Sequence, residues 1–212
     1  MTGTNQFIHR TGEILRHLQE TGQLKQLQMI DSPMGPRITL RGRGEVDCFC
    51  SNNYLGLANH PDVVQAGING LKDYGAGTSS VRFICGTFAP HIELEERIST
   101  FLGVEAAYTF VSCWNATEAI FPTLCEDGDV IVSDELNHAC IIDSMRLTTA
   151  ISRGVTKVIY KHSDMDSLGK SLQNASEKRS GSGAIFVVTD GVFSMEGDIA
   201  NTPQDTIAMH RI

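Results

Sequence analysis

From residue 107 to residue 190 the chain alternates between short apolar runs and longer amphipathic stretches. That rhythm restricts the fold more than any other feature. Apolar runs fall at about 107–112, 129–134, 155–161 and 184–190, rich in Val, Ile and aromatic residues. Between them, stretches near 115–125, 138–149 and 164–179 carry apolar residues at helical spacing. Runs too apolar to face water on either side are predicted strands of a parallel sheet, because crossover helices cover both faces of such a sheet. The expected class is α/β with a mostly parallel sheet. A parallel sheet gathers the carboxyl ends of its strands on one rim, where open α/β domains bind their ligands.

The residues at that rim carry chemistry. The first run ends in Ser112-Cys113-Trp114, where a helix is predicted to begin. A helix start leaves backbone N–H groups without intrahelical acceptors, and its dipole favours an anion, most often a phosphate. The second run delivers Asp134 and His138 to the same rim, the third Lys161-His162, and the fourth the segment Asp190 to Asp198 with Ser194 and Glu196. The shared location makes His138 and Ser194 candidate site residues beside a phosphate seat. His162 lacks comparable support and is expected on the surface. There is no metal-ligand spacing, nucleophile elbow or P-loop lysine, and no G-x-G-x-x-G follows the first run.

The rest of the chain is quieter. Phe7, Ile8, Ile14, Leu15, Leu18, Leu24 and Leu27 predict an amphipathic helix or helix pair over Phe7–Met29, stopped by Pro33, Gly35 and Pro36. A small hairpin is predicted from Arg37–Leu40 and Val46–Cys50, and a helix from Pro61 to about Tyr74. The segment from Gly75 to Thr87 reads either as a solvated loop or as backbone amides and Arg82 approaching an anion. His91–Leu102 is a predicted helix with Leu94, Ile98, Phe101 and Leu102 on its apolar face. A formal charge of −8 with no basic stripe argues against nucleic-acid or anionic-membrane partners. No apolar run reaches the roughly 20 residues of a membrane span. The N-terminal residues lack a signal-peptide core, and the six cysteines read as reduced thiols of a cytoplasmic protein.

Four segments, 51–57, 80–87, 133–142 and 189–197, resemble the α-oxoamine synthases, and the likeness runs from about Cys48 to Asn201. The resemblance implies the large domain of a PLP-dependent transferase of the aspartate-aminotransferase-like type (fold type I), occupying residues 51–212 in truncated form. A helical arm and hairpin over residues 1–50 precede it. The implied reaction condenses an amino acid with an acyl-CoA on pyridoxal 5'-phosphate, glycine and acetyl-CoA being the expected pair. By motif match, Ser112 and the amides of Cys113 and Trp114 hold the cofactor phosphate, and His138 stacks on the ring. Ser194 bonds near the phenolic oxygen or the substrate carboxylate, and Asn53 lies close to substrate. In a homodimer the Ser80-Val81-Arg82 loop reaches the partner's site, where Val81 suits a short uncharged acyl group. The family's Schiff-base lysine, in a Thr-x-x-Lys segment, and the aspartate that pairs with the pyridine nitrogen fall beyond the position of Ile212. An N-terminal part of an enzyme, inactive by itself, is thus expected; the alternative is a non-catalytic partner subunit. An unpaired sheet edge and an exposed apolar face are expected with it.

Overall fold

Three of the four predicted strands form one parallel sheet in the computed structural model, which describes residues 3–201. These are β3 (Val130–Asp134), β4 (Thr156–Tyr160) and β5 (Ile185–Val188), in the order β4-β3-β5. Val130 lies opposite Thr156 on one side and Ile185 on the other. All five residues of β3 are buried. Its Ile131 packs with Phe121, Cys125, Ile141 and Met145, whereas Val130 and Val132 pack with Val158, Tyr160 and Ala175. The first cluster is supplied by α4 (Cys113–Leu124) and α5 (Ala139–Ile151), the second by α6 (Met165–Lys178). A layer on each face explains why β3 has no polar alternation. Full burial of each such side chain is worth about 1.5–3 kcal/mol relative to exposure.

The amino end of β3 is tied by one carboxylate. Asp129 is buried, and it accepts Ala184 N at 2.6 Å and Glu126 N at 2.8 Å. Gly183 sits so close to this turn that a Cβ there would collide with the carbonyl oxygen of Gly128. Burial, and then the nearby charge of Asp129, pushes the Cys125 thiol up to about 11.

The fourth predicted strand is absent: residues 107–111 are irregular. The Thr109 amide and hydroxyl both donate to Glu95 Oε1, each at 2.8 Å, so that backbone donor goes to a carboxylate of α3 (Ala89–Leu102). The apolar face predicted for α3 is also largely exposed, with Phe101 at 88%. A short hairpin not foreseen, β6 (Val192–Phe193) with β7 (Asp198–Ile199), follows β5.

The chain divides into two compact units between Phe88 and Ala89, and everything above belongs to the second. The first contains α1 (Gly3–Glu20), the hairpin of β1 (Arg37–Leu40) with β2 (Gly44–Asp47), and α2 (Pro61–Tyr74). The first helix ends well before Met29. Thr21 Oγ1 donates back to His17 O, and Gly22 takes φ +69°, a left-handed stop that the continuing apolar period hides. The second hairpin strand is shifted too: Cys48 N still donates in register to Pro36 O, but Pro36 has no N–H to return the bond, and the ladder stops there. Ile38 and Gly86 are the buried residues among those described here. Phe7, Ile14 and Leu15 of α1 and Val64, Ile68 and Leu71 of α2 are exposed, and in the second unit β4 and β5 each pair on one side alone. Both agree with the expected exposed apolar surface and open edge. The six cysteines are free.

Candidate active site

Topology puts two helix starts on one rim. Helix α5 leaves directly from the carboxyl end of β3, so its first turn stands there. Helix α4 reaches the amino end of β3 through a short turn at residues 125–129. Twelve residues of α-helix span about 18 Å, against about 16 Å for a five-residue strand. Packed on the sheet, α4 must therefore begin near the carboxyl end of β3. Ser144 Oγ of α5 donates to Thr117 O of α4 at 2.7 Å, joining the second turns of both helices.

At the start of α4 the exposed Ser112 is the N-cap, its Oγ accepting Asn115 N at 3.1 Å. The Cys113 and Trp114 amides lie in the first turn, where no intrahelical acceptor exists. Trp114 donates from its ring to Glu118 Oε1 at 2.8 Å. At the start of α5 the N-cap is His138, exposed, with Nδ1 accepting Cys140 N at 3.2 Å and its backbone N–H donating to Asp190 Oδ2 at 2.7 Å. With Nδ1 an acceptor, the neutral ring carries its proton on Nε2.

Behind these groups lies a buried polar layer. Asn137 donates from its amide to Ser133 Oγ and to Val188 O, both at 2.9 Å, and its Oδ1 accepts Asp190 N at 2.7 Å. It thereby ties the ends of β3 and β5 together and aims Asp190 at His138. Asp134 accepts Leu136 N at 2.9 Å, Ser163 N at 3.0 Å and His162 Nδ1 at 3.0 Å. His162 is therefore no surface residue, contrary to expectation. Its side chain is 15% exposed, its Nε2 is 3.2 Å from Asp198 Oδ2, and its ring meets Phe193 edge-on at 4.4 Å. The bond to Asp134, then that to Asp198, holds its pKa above the usual imidazole range. Neither Asn137 nor His162 stood out in the sequence, since Val188 and Asp190 lie more than fifty residues from the first, and Asp134 and Asp198 28 and 36 residues from the second. Ser194 follows buried Phe193 and is exposed in the turn between β6 and β7.

The structure thus brings Ser112, Cys113, Trp114, His138 and Ser194 into one unit. The other predicted residues lie in the first. There Asn53 Oδ1 accepts Ala58 N at 3.0 Å, and Asn53 lines an open cleft of about 460 Å³ with Pro36, Cys48 and Asn59. Ser80 O accepts the Thr78 hydroxyl at 2.9 Å, Val81 is exposed, and Arg82 Nε donates to Thr87 Oγ1 at 3.1 Å. A Cβ at Gly86 would collide with Ser80 O, so this wide turn depends on glycine. Among the described residues no three His, Cys, Asp or Glu side chains converge to hold a metal. No described helix is long and apolar enough to cross a membrane.

A domain of this kind, a parallel sheet with two helix starts and an imidazole on its rim, has known relatives. Residues 47–207 match the family described as aminotransferase class I and II, and the chain belongs to that family. It is 46% identical to the mitochondrial 2-amino-3-ketobutyrate coenzyme A ligase of Bos taurus over 89% of this chain and 43% of that protein. It is 43% identical to 8-amino-7-oxononanoate synthase of Thermoanaerobacter pseudethanolicus over 91% of this chain and 46% of that protein. Both relatives are α-oxoamine synthases. Serine palmitoyltransferase from S. paucimobilis, solved with a bound PLP–myriocin aldimine, superposes with a TM-score of 0.78 at 27% identity, covering 95% of this chain and 50% of that one. The chain spans about half the length of the relatives it matches.

Proposed function

We propose that this chain belongs to a PLP-dependent C-acyltransferase of the glycine C-acetyltransferase kind, which joins an amino acid, glycine, to a short acyl-CoA, acetyl-CoA. The observation that carries the reading is the shared rim. In a chain 46% identical to a 2-amino-3-ketobutyrate coenzyme A ligase, the starts of α4 and α5 and the Ser194 turn belong to the carboxyl side of one parallel sheet.

The donor set fits a phosphate ester on an aromatic ring. The first-turn amides of Cys113 and Trp114 offer neutral donors with a favourable helix dipole, and Ser112 stands beside them, its hydroxyl donating to Asn115 Oδ1 at 2.7 Å until a phosphate takes that bond. His138 offers an exposed ring whose plane is set by the Cys140 N–H and whose backbone is anchored by Asp190. Ser194 offers a free-standing hydroxyl for a phenolic oxygen or a carboxylate. When bound, PLP supplies the electron sink for the carbanion at the amino-acid α-carbon. The chain's residues seat the phosphate, stack the ring and orient the amino acid. In the same reading residues 51–212 belong to the cofactor-binding domain, following an arm over 1–50. Asn53 approaches the substrate, and the Ser80-Val81-Arg82 loop serves the partner's site in a homodimer. The compartment proposed with this reading is the cytoplasm, and six free thiols are compatible with any reducing compartment.

The test uses the protein expressed from its own gene, with PLP, glycine and acetyl-CoA, following release of free CoA thiol. Glycine-dependent release is expected, and His138→Ala should abolish most of it. Tight PLP binding without CoA release from any short acyl-CoA would instead favour the non-catalytic partner subunit.

A further inference from the structure

We propose that His162 is a positioning residue that fastens the turn between Phe193 and Asp198 to the carboxyl end of β3 and so sets where Ser194 stands. The consequence for the cofactor rests on the function proposed above; the fastening itself does not.

The hairpin needs such a fastening. Strands β6 and β7 have two residues each, and a two-stranded ribbon even longer than this is marginal by itself in water. Val192 and Met195, on either side of Phe193 and Ser194, are 65% and 89% exposed, whereas Phe193 is 2% exposed. The hairpin is therefore anchored at Phe193, and His162 packs its ring edge-on against that side chain at 4.4 Å. The same imidazole has Nδ1 3.0 Å from Asp134 Oδ1 and Nε2 3.2 Å from Asp198 Oδ2. In its protonated form a ring placed between two carboxylates donates from both nitrogens, giving two charge-assisted bonds. Asp134 is the fixed end, because Leu136 N and Ser163 N already hold it. Glu135 Oε1 accepts His162 N at 3.0 Å and fixes the backbone. The route therefore runs from β3 through Asp134 and His162 to Asp198 and Phe193, and Ser194 is the next residue.

Two variants test this in the protein expressed from its own gene, read by hydrogen exchange. His162→Gln cannot span both carboxylates; Asp198→Ala removes the exposed partner and leaves the pair with Asp134 intact. The Gly197 and Ala200 amides bond to Phe193 O and Gly191 O across the hairpin. Both should exchange at least about tenfold faster in His162→Gln and by a smaller factor in Asp198→Ala, while α6 stays protected. Should His162→Gln also lose protection in α6, Asp198→Ala decides. Unchanged exchange across 191–200 in a folded variant overturns the proposal.

PLP titration then tests the consequence. His162→Gln should weaken PLP about tenfold, and should add no further loss in a Ser194→Ala background. Additive losses overturn the route through Ser194. Faster exchange in a protein that binds no PLP supports the fastening and overturns the cofactor reading instead.

Discussion

The two ends of β3 carry the same residue type under the same burial, and they do different work. Asp129 at the amino end and Asp134 at the carboxyl end are 6% and 2% exposed. Asp129 accepts two backbone amides, Ala184 N and Glu126 N, and so joins one turn to another. Asp134 also accepts two backbone amides, but its third partner is the His162 side chain, which reaches on to the turn that carries Ser194. One carboxylate closes the sheet. The other aims a group at its rim. In a parallel sheet this division follows from chain direction, because ligands bind beyond the carboxyl ends of the strands and the amino ends are left to stability.

The largest effect should therefore come from the amino end. Asp129→Ala leaves two amides at the turn without their charged acceptor, at a cost of about 2–4 kcal/mol from two such losses taken together. Calorimetry of the wild type and variant should show a marked fall in Tm, while the PLP affinity of the folded fraction stays within about twofold because no rim group moves. A drop in affinity at full stability would reverse the roles assigned to the two ends.

Asp134→Asn should cost less stability and more function. The amide keeps the shape and can still accept from Leu136 N or Ser163 N, but it loses the charge that faces His162. About 1–3 kcal/mol of stability should go, within the range for one compromised buried acceptor. Relative to Asp129→Ala, thermal stability and PLP affinity should change rank. If both variants lower stability and affinity in the same proportion, the distinction between the ends fails.

What the residues revealed beforehand follows the same division. The runs that became β3, β4 and β5, and the helices between them, were legible because burial on both faces demands unbroken apolar stretches. The start of α4 at Ser112 and that of α5 at His138 were legible because a strand-to-helix switch is local. The run at 107–112 looked equally strand-like, but Thr109 gives its amide to Glu95, fourteen residues upstream, and no apolar pattern reports such a bond. The end of α1 was marked by Gly22 and was overridden by a period that continued through Leu24 and Leu27. His162 was placed on the surface because both its carboxylates are far off in sequence, 28 and 36 residues away. The proposed roles of His138 and Ser194 came from resemblance, and the bonds of Asp190 and Asn137 show what would hold His138 in place.

The smallest effect is one of pH, and its sign separates the ends most cleanly. The His162 pKa is raised in the folded protein, first by the bond to Asp134 and then by that to Asp198. A histidine with a raised folded pKa contributes its stability in full below the unfolded value of about 6.5, and loses it as pH rises through the folded value. The Tm advantage of wild type over His162→Gln should therefore be largest at about pH 5, and should shrink steadily above about pH 6.5. Groups remote from His162 are common to both proteins and cancel from the difference, which leaves His162 and its partners Asp134 and Asp198. The Cys125 thiol at the amino end, pushed up to about 11, stays protonated throughout. A difference in Tm that is flat across this range would mean that His162 packs against Phe193 as a neutral ring. The charge would then contribute nothing, and the carboxyl end would be held as the amino end is, by bonds to backbone amides.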